Sequence, residues 1–261
     1  MDSGRLQSEK LALGHLAIHE TVEQILGGEK RGTVLDIPAG KGALAIRLKI
    51  LGFEVFCCDL YPTLFKLEDF EIKLGDLDKI LPYADESFDY IACVEGLEHI
   101  ENPANAIREF ARLLKKDGLL IVSVPNIMNI EERLKWLFSG YTSHFKPLSL
   151  EAISDIKHEI GDEYAGMEEV ALHVNPIGYS EVRYLLEKSG FQLEKIFLDK
   201  PKKNSWAFLP IAALIKLIAR FNSEKKRRSR WANELNSDEV LLGGNTLIFK
   251  ARKSVMSEQP A

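Results

Sequence analysis

The segment Thr33-Val34-Leu35-Asp36-Ile37-Pro38-Ala39-Gly40-Lys41-Gly42, running directly into Ala43 to Leu51, decides the reading of the chain. A short apolar run leads into a turn with two glycines, and a helical stretch starts at once after it. Glycine lets the backbone approach a ligand closely and take positive φ. The start of the following helix offers N–H groups that suit a carboxylate or a phosphate.

Further apolar runs follow at similar spacing. Phe53 to Cys58 reads as a strand ending at Asp59, Ile72 to Leu74 as a short one ending near Asp76, and Phe88 to Val94 as a fourth ending at Glu95. Ala104 to Lys115 is helical, and Leu119 to Val124 is a strand ending at Pro125. Such alternation specifies an α/β fold, a parallel sheet with helices on both faces. Strands buried on both faces explain why Val55-Phe56-Cys57-Cys58 does not alternate. A helix is expected over 6–27, stopped by Gly27-Gly28, another over Tyr179 to Lys188, and strands over Phe191 to Leu198 and Thr246 to Lys250. The last two pair antiparallel at the sheet edge in this reading, and the tail after Arg252 is expected to be disordered.

Ligands of open α/β sheets bind at the carboxyl ends of the strands. Three ligand classes use a turn like 38–42. A phosphate-binding P-loop needs Ser or Thr after Gly-Lys, where this chain has Gly42. Gly40-Lys41-Gly42-Ala43-Leu44-Ala45 satisfies the dinucleotide pattern G-x-G-x-x-A, with Asp59 at a suitable distance for a ribose hydroxyl. Asp36 discriminates, because dinucleotide folds carry an apolar residue there. An acid at that place suits the ammonium of an amino-acid ligand. Asp59 suits a ribose diol and Asp76 an adenine amino group. Three acids on successive strand ends would repel a pyrophosphate.

The 34–42 stretch resembles motif I of the class I S-adenosylmethionine-dependent methyltransferases. Leu81-Pro82-Tyr83-Ala84-Asp85-Glu86-Ser87-Phe88-Asp89-Tyr90-Ile91, Glu95-Gly96-Leu97-Glu98-His99-Ile100, Leu113 to Gly118 and Leu185 to Phe191 continue the likeness, in the flavour of the ubiquinone/menaquinone-type small-molecule enzymes. The resemblance implies a Rossmann-like, open, mostly parallel seven-stranded sheet with one antiparallel edge strand and a helical insertion. It implies S-adenosyl-L-methionine as cofactor, S-adenosyl-L-homocysteine as product, and methylation of a small-molecule or lipid/glycan-linked acceptor, with O-methylation expected. The cofactor residues it implies are Asp36, Pro38, Gly40 and Gly42 in the turn, then Asp59 with Leu60, Asp76 with Leu77, and Val94 with Glu95. Pro38 stands where the family has glycine; it fixes φ and lacks an N–H, so Gly40 and Gly42 must carry the close approach. The alternatives are an NAD(P)-dependent oxidoreductase and a non-catalytic cofactor-binding scaffold.

The chain reads as a single domain, 1–261, with a cofactor core over 30–125, an acceptor-side insertion over 127–177 and a helical, basic excursion over 199–243. Methyl transfer from a sulfonium is an in-line displacement in which the protein aligns the acceptor and takes up a proton. His99 is the first candidate base and His144, in the turn-rich loop Ser139 to Phe145, the second. His173 is a further acceptor-site candidate. Glu95, Glu98 and His99 would share one face if their stretch were helical, a set that suits Mg²⁺ or Mn²⁺. Structural packing is the competing reading, and no metal ligand is assigned.

The net charge of -5 argues against general nucleic-acid binding. Cys57, Cys58 and Cys93 all fall in apolar runs, so neither a disulfide framework nor a zinc site is expected. Met1 to Lys10 is polar and no apolar signal region follows, which fits a cytoplasmic protein. Trp206 to Ile218 is too short and interrupted to span a membrane. It reads as a helix packed on the domain or in a dimer, or, with the basic run Lys225 to Arg230 close behind it, as a membrane-surface helix giving a peripheral membrane contact over 206–230 or as an entrance for a lipid-linked acceptor.

Overall fold

The computed structural model describes residues 3–160, 164, 167 and 171–254. Strands β1 (Thr33–Asp36), β2 (Glu54–Asp59), β3 (Ile72–Leu74), β4 (Phe88–Cys93), β5 (Leu114–Pro125), β6 (Phe191–Leu198) and β7 (Thr246–Lys253) form one sheet in the order β3-β2-β1-β4-β5-β7-β6. The first five run parallel, and β7 is antiparallel to both neighbours. The seven-stranded, mostly parallel architecture is the expected one. The antiparallel strand lies at the expected end of the sheet, one place in, with β6 on the rim. Strand β5 begins earlier than its apolar run, at Leu114 opposite Phe88, and the polar 115–117 stretch, with Asp117 at φ 58, bulges out of the ladder before pairing resumes at Leu119 opposite Tyr90. Residues 255–261 of the expected disordered tail lie outside the described residues.

The alternation of β1 shows how the layers form. Val34 faces a core shared with α2 (Leu16–Gly27) and α3 (Ala43–Ile50), where Ile18, Val22, Leu44 and Leu48 are buried. Leu35 faces the opposite core, under α4 (Pro103–Leu113) and α7 (Tyr179–Lys188), with Phe110, Leu186 and Phe249. Helix α4 starts where Asn102 accepts the Asn105 N–H and Pro103 takes the first turn.

The helix expected over 6–27 is two helices, α1 (Ser3–Leu11) and α2. The break is tertiary in origin. Leu13 lies over Gly40, and Gly14 lies against Glu95, so the linker 12–15 crosses the carboxyl ends of the central strands. Helix α1 is held by buried Ser8, whose hydroxyl donates to Ala43 O at 2.7 Å and accepts from Arg47 Nε at 2.9 Å. Arg47 in turn pairs with Glu23 at 2.7 Å.

The 127–177 region contains α5 (Ile130–Ser139) and α6 (Leu150–Ile160). Between β6 and β7 lie a 3-10 turn (Ser205–Phe208), α8 (Leu209–Arg220), α9 (Glu224–Arg228), α10 (Ala232–Leu235) and α11 (Asp238–Leu241). Helix α8 does not bury its large apolar side chains as a helix packed on the domain would. It meets α5 and α11 through Ala212 and Ile215 in a small cluster with Ile130, Leu134 and Leu241. No helix among the described residues is long and apolar enough to cross a membrane.

Candidate active site

β1 stops at Asp36 and α3 starts at Ala43, and the turn between them sits at the point where the strand order reverses. Gly42 has φ 94, and a Cβ there would meet Leu67 Cδ1 at 2.5 Å, so both conformation and space require glycine. Asp59 ties the turn to β2: its Oδ2 accepts from Gly40 N at 2.8 Å and its Oδ1 from Tyr61 N at 2.8 Å. Each oxygen keeps a second lone pair.

Asp36 is buried at the end of β1, and its Oδ2 has no hydrogen-bond partner among the described residues. Burial holds its carboxyl well above the usual carboxylate range, with the Asp59 charge adding to the effect and the Ala45 amide opposing it. Asp76 closes a turn after β3, accepting from Asp78 N at 2.9 Å and pairing with Lys79 at 3.0 Å. Of the neighbours expected beside the cofactor, Leu60 is exposed, while Leu77 and Val94 are buried.

Glu95 follows β4 with φ 50, its amide donating to Ser123 Oγ at 2.8 Å. Burial, then the charge of Asp199, pushes its carboxyl up to about 7. The chain then makes a 3-10 turn, Leu97–His99, rather than a helix from residue 95. Glu95, Glu98 and His99 therefore do not form one helical face. Glu98 turns inward with Oε2 unpartnered among the described residues, and burial pushes it up to about 8, the charge of Glu95 contributing.

The insertion supplies what the helical face would have. His173 reaches His99 with ring centroids 4.8 Å apart, and ligand atoms of Glu98, His99 and His173 all lie within 4.8 Å of one another. His144 stacks on His173 at 6.4 Å, and its carbonyl meets His173 Nδ1 at 2.9 Å. The two candidate bases, far apart in sequence, thus belong to one cluster joined by His173. Nδ1 of His99 lies 2.9 Å from Leu172 O, and since a carbonyl only accepts, that nitrogen is the donor. Asn175 N donates to Glu98 O at 3.1 Å, fastening the end of the insertion to the 3-10 turn. Burial pulls His144 and His173 below the ordinary imidazole value.

Asp199, just after β6, joins the site although its sequence context did not single it out. Its Oδ1 accepts from Thr246 N at 3.3 Å, and its buried Oδ2 has no partner among the described residues. Asp36, Asp59, Glu95, Glu98 and Asp199 make this carboxyl-end side of the sheet strongly acidic. Unpaired buried carboxylate oxygens favour a cationic ligand and oppose a pyrophosphate. Two open cavities of about 410 and 500 Å³ lie elsewhere, flanking α1, and none of these acids lines either.

Residues 11–196 match the family described as "Methyltransferase domain". The chain belongs to this methyltransferase family. Over 102 residues this methyltransferase is 33% identical to a ubiquinone biosynthesis O-methyltransferase of Xanthomonas oryzae pv. oryzae (strain PXO99A), covering 36% of the chain and 43% of that relative. It is 26% identical over 176 residues to a demethylmenaquinone methyltransferase of Leptospira interrogans (strain Fiocruz L1-130), covering 61% of the chain and 67% of the relative. The matched stretch thus spans less than half of the ubiquinone-pathway relative. A SAM-dependent methyltransferase from Archaeoglobus fulgidus superposes with a TM-score of 0.57 at 16% identity, over 97% of this chain and all of that one, which shows the shared fold. The family match leaves the NAD(P)-dependent reading without support.

Proposed function

We propose that this methyltransferase carries the methyl group of S-adenosylmethionine to a hydroxyl of a small, apolar, quinone-type ring compound. The observation that carries the cofactor half is the set of buried carboxylate oxygens without partners, on Asp36, Glu98 and Asp199, around a glycine turn. A ligand bearing an ammonium and a sulfonium answers that charge. In this reading Asp59 receives the ribose diol on its remaining lone pairs, Asp36 and the Gly40 region face the amino group, and Asp76 faces the adenine amino group. The bound cofactor supplies a methyl group already activated on sulfur. The acceptor half rests on the names of the two relatives and on the mixed aromatic and imidazole surface of His99, His173 and Phe145.

In this reading His99 is the base that takes the acceptor proton, with the Leu172 carbonyl orienting its ring at Nδ1. The 127–177 insertion forms the acceptor side through His144 and His173. A second reading is favoured by the closeness of Glu98, His99 and His173, a donor set that suits a divalent cation able to orient an acceptor oxygen and lower its pKa. A cytoplasmic setting is supported by three buried, unpaired thiols.

Calorimetry with S-adenosylhomocysteine and with NAD tests the cofactor class, and methyl transfer to hydroxylated quinols tests the acceptor. Binding of NAD in place of S-adenosylhomocysteine overturns the proposal. In the base reading, His99→Ala lowers turnover while S-adenosylhomocysteine affinity stays near normal, and a chelator has no effect. In the metal reading a chelator abolishes turnover and Mg²⁺ or Mn²⁺ restores it.

A further inference from the structure

We infer that α8 and the basic helix α9 form a docking surface for an anionic lipid bilayer. A surface helix ordinarily turns its large apolar side chains toward the protein. Helix α8 does the reverse. Its inward side is Ala212, Ile215 and Ala219, of which only Ala212 is fully buried. Its outward side carries Leu214, Leu217, Ile218 and Phe221, exposed by 50% or more, Phe221 by 84%. Lys216 does not interrupt this face, because its ammonium pairs with Asp238 at 2.6 Å on the flank.

Trp206, 71% exposed just before α8, is the residue type that anchors at a membrane–water boundary. Beside α8, helix α5 ends in Trp136, Leu137 and Phe138, all largely exposed. The two helices are joined on their inner sides by Ile130, Leu134 and Ala212, so both present exposed apolar side chains from one packed unit.

Charge selects the occupant. Immediately after α8, the seven residues from Glu224 to Arg230 contain five basic residues and one acid. Lys225, Lys226, Arg228 and Arg230 are exposed in an otherwise acidic protein of net charge -5. An apolar helix face next to a cationic run matches an anionic leaflet, into which the face enters while the cations meet the headgroups. The surface also lies close to the acceptor side: Glu132, on the buried side of α5, accepts from Ser143 N in the loop that carries His144.

The test is flotation of the full chain with phosphatidylglycerol-containing vesicles and with pure phosphatidylcholine vesicles. Binding is expected with the former and should fall about tenfold or more with the latter or in about 0.5 M salt. Leu217→Glu with Phe221→Glu, both exposed and outside the cofactor site, should abolish it while leaving cooperative thermal unfolding intact. Lys225, Lys226, Arg227 and Arg228→Gln should weaken it at low salt and remove its salt dependence. Absence of flotation overturns the inference, as does flotation that neither variant reduces. A solution dimer that Leu217→Glu dissociates, with no vesicle binding, assigns the face to a second copy instead.

Discussion

The ring of Pro38 lies against the bare Cα of Gly96: a Cβ at residue 96 would sit 2.7 Å from Pro38 Cδ and 3.2 Å from Cys93 Sγ. The proline that departs from the family's glycine is thus accommodated by a glycine on the neighbouring strand end. Gly96→Ala should therefore cost about 1–3 kcal/mol of stability by overpacking. Pro38→Gly opens space beside it, so the double variant should lose less than the sum of the two single ones. Denaturant unfolding of all four proteins measures the coupling; additive losses would show that the two residues do not share the site.

Asp59 holds the glycine turn and is also the candidate for the ribose. Asp59→Ala releases Gly40 N and Tyr61 N and removes the charged acceptors a ribose diol would use. S-adenosylhomocysteine affinity should weaken by about 1.5–3 kcal/mol. Calorimetry on the variant decides it, and an unchanged dissociation constant would refute the ribose assignment.

Glu98 gives the ligand-free protein a distinct pH dependence. Burial raises its carboxyl to about 8, so the folded state holds the proton more tightly than the unfolded chain does. The stabilisation is complete below the unfolded value and is lost as pH rises through about 8. Glu98→Gln, which cannot ionise, should gain on the order of 3 kcal/mol relative to the parent between acid and mildly alkaline pH. Urea unfolding of chelator-treated protein at a series of pH values tests this, and parallel stability curves for parent and variant would sink it.

The central part of this architecture was legible because local rules agreed there. Strand, glycine turn and helix follow one another within residues 33–51, and acids stand at successive strand ends. The break at 12–15 was not legible. Leu11, Leu13 and Leu16 continue a helical stripe, and what stops the helix is contact with Gly40 and Glu95, remote in sequence. His173 was visible as a candidate, but its place between His99 and His144 depends on how the insertion folds back. Asp199 follows the same rule as Asp36 and Asp59, an acid at or just past the end of a strand. It escaped because β6 was read only as an edge strand, away from the cofactor half of the sheet. Helix α8 shows the limit of periodicity, which finds an apolar face but not the side on which it lies.

The linker 12–15 makes a last prediction possible, because it touches the site at one well-defined atom. A Cβ at Gly14 would stand 1.7 Å from Glu95 Oε2. The Glu95 backbone is fixed by its amide bond to Ser123 Oγ at 2.8 Å, so its side chain must turn away or the linker must lift. Either response changes the acidic wall facing the proposed cofactor site while leaving both cores untouched. Gly14→Ala should weaken S-adenosylhomocysteine binding by about 0.5–2 kcal/mol, with little change in Tm. Because the effect passes through the Glu95 carboxylate, Gly14→Ala should add almost nothing in a Glu95→Ala background. Calorimetry on the two single variants and the double variant provides the measurement. A loss of affinity that persists undiminished without the Glu95 carboxylate would mean that the linker acts through Leu13 and Gly40 instead.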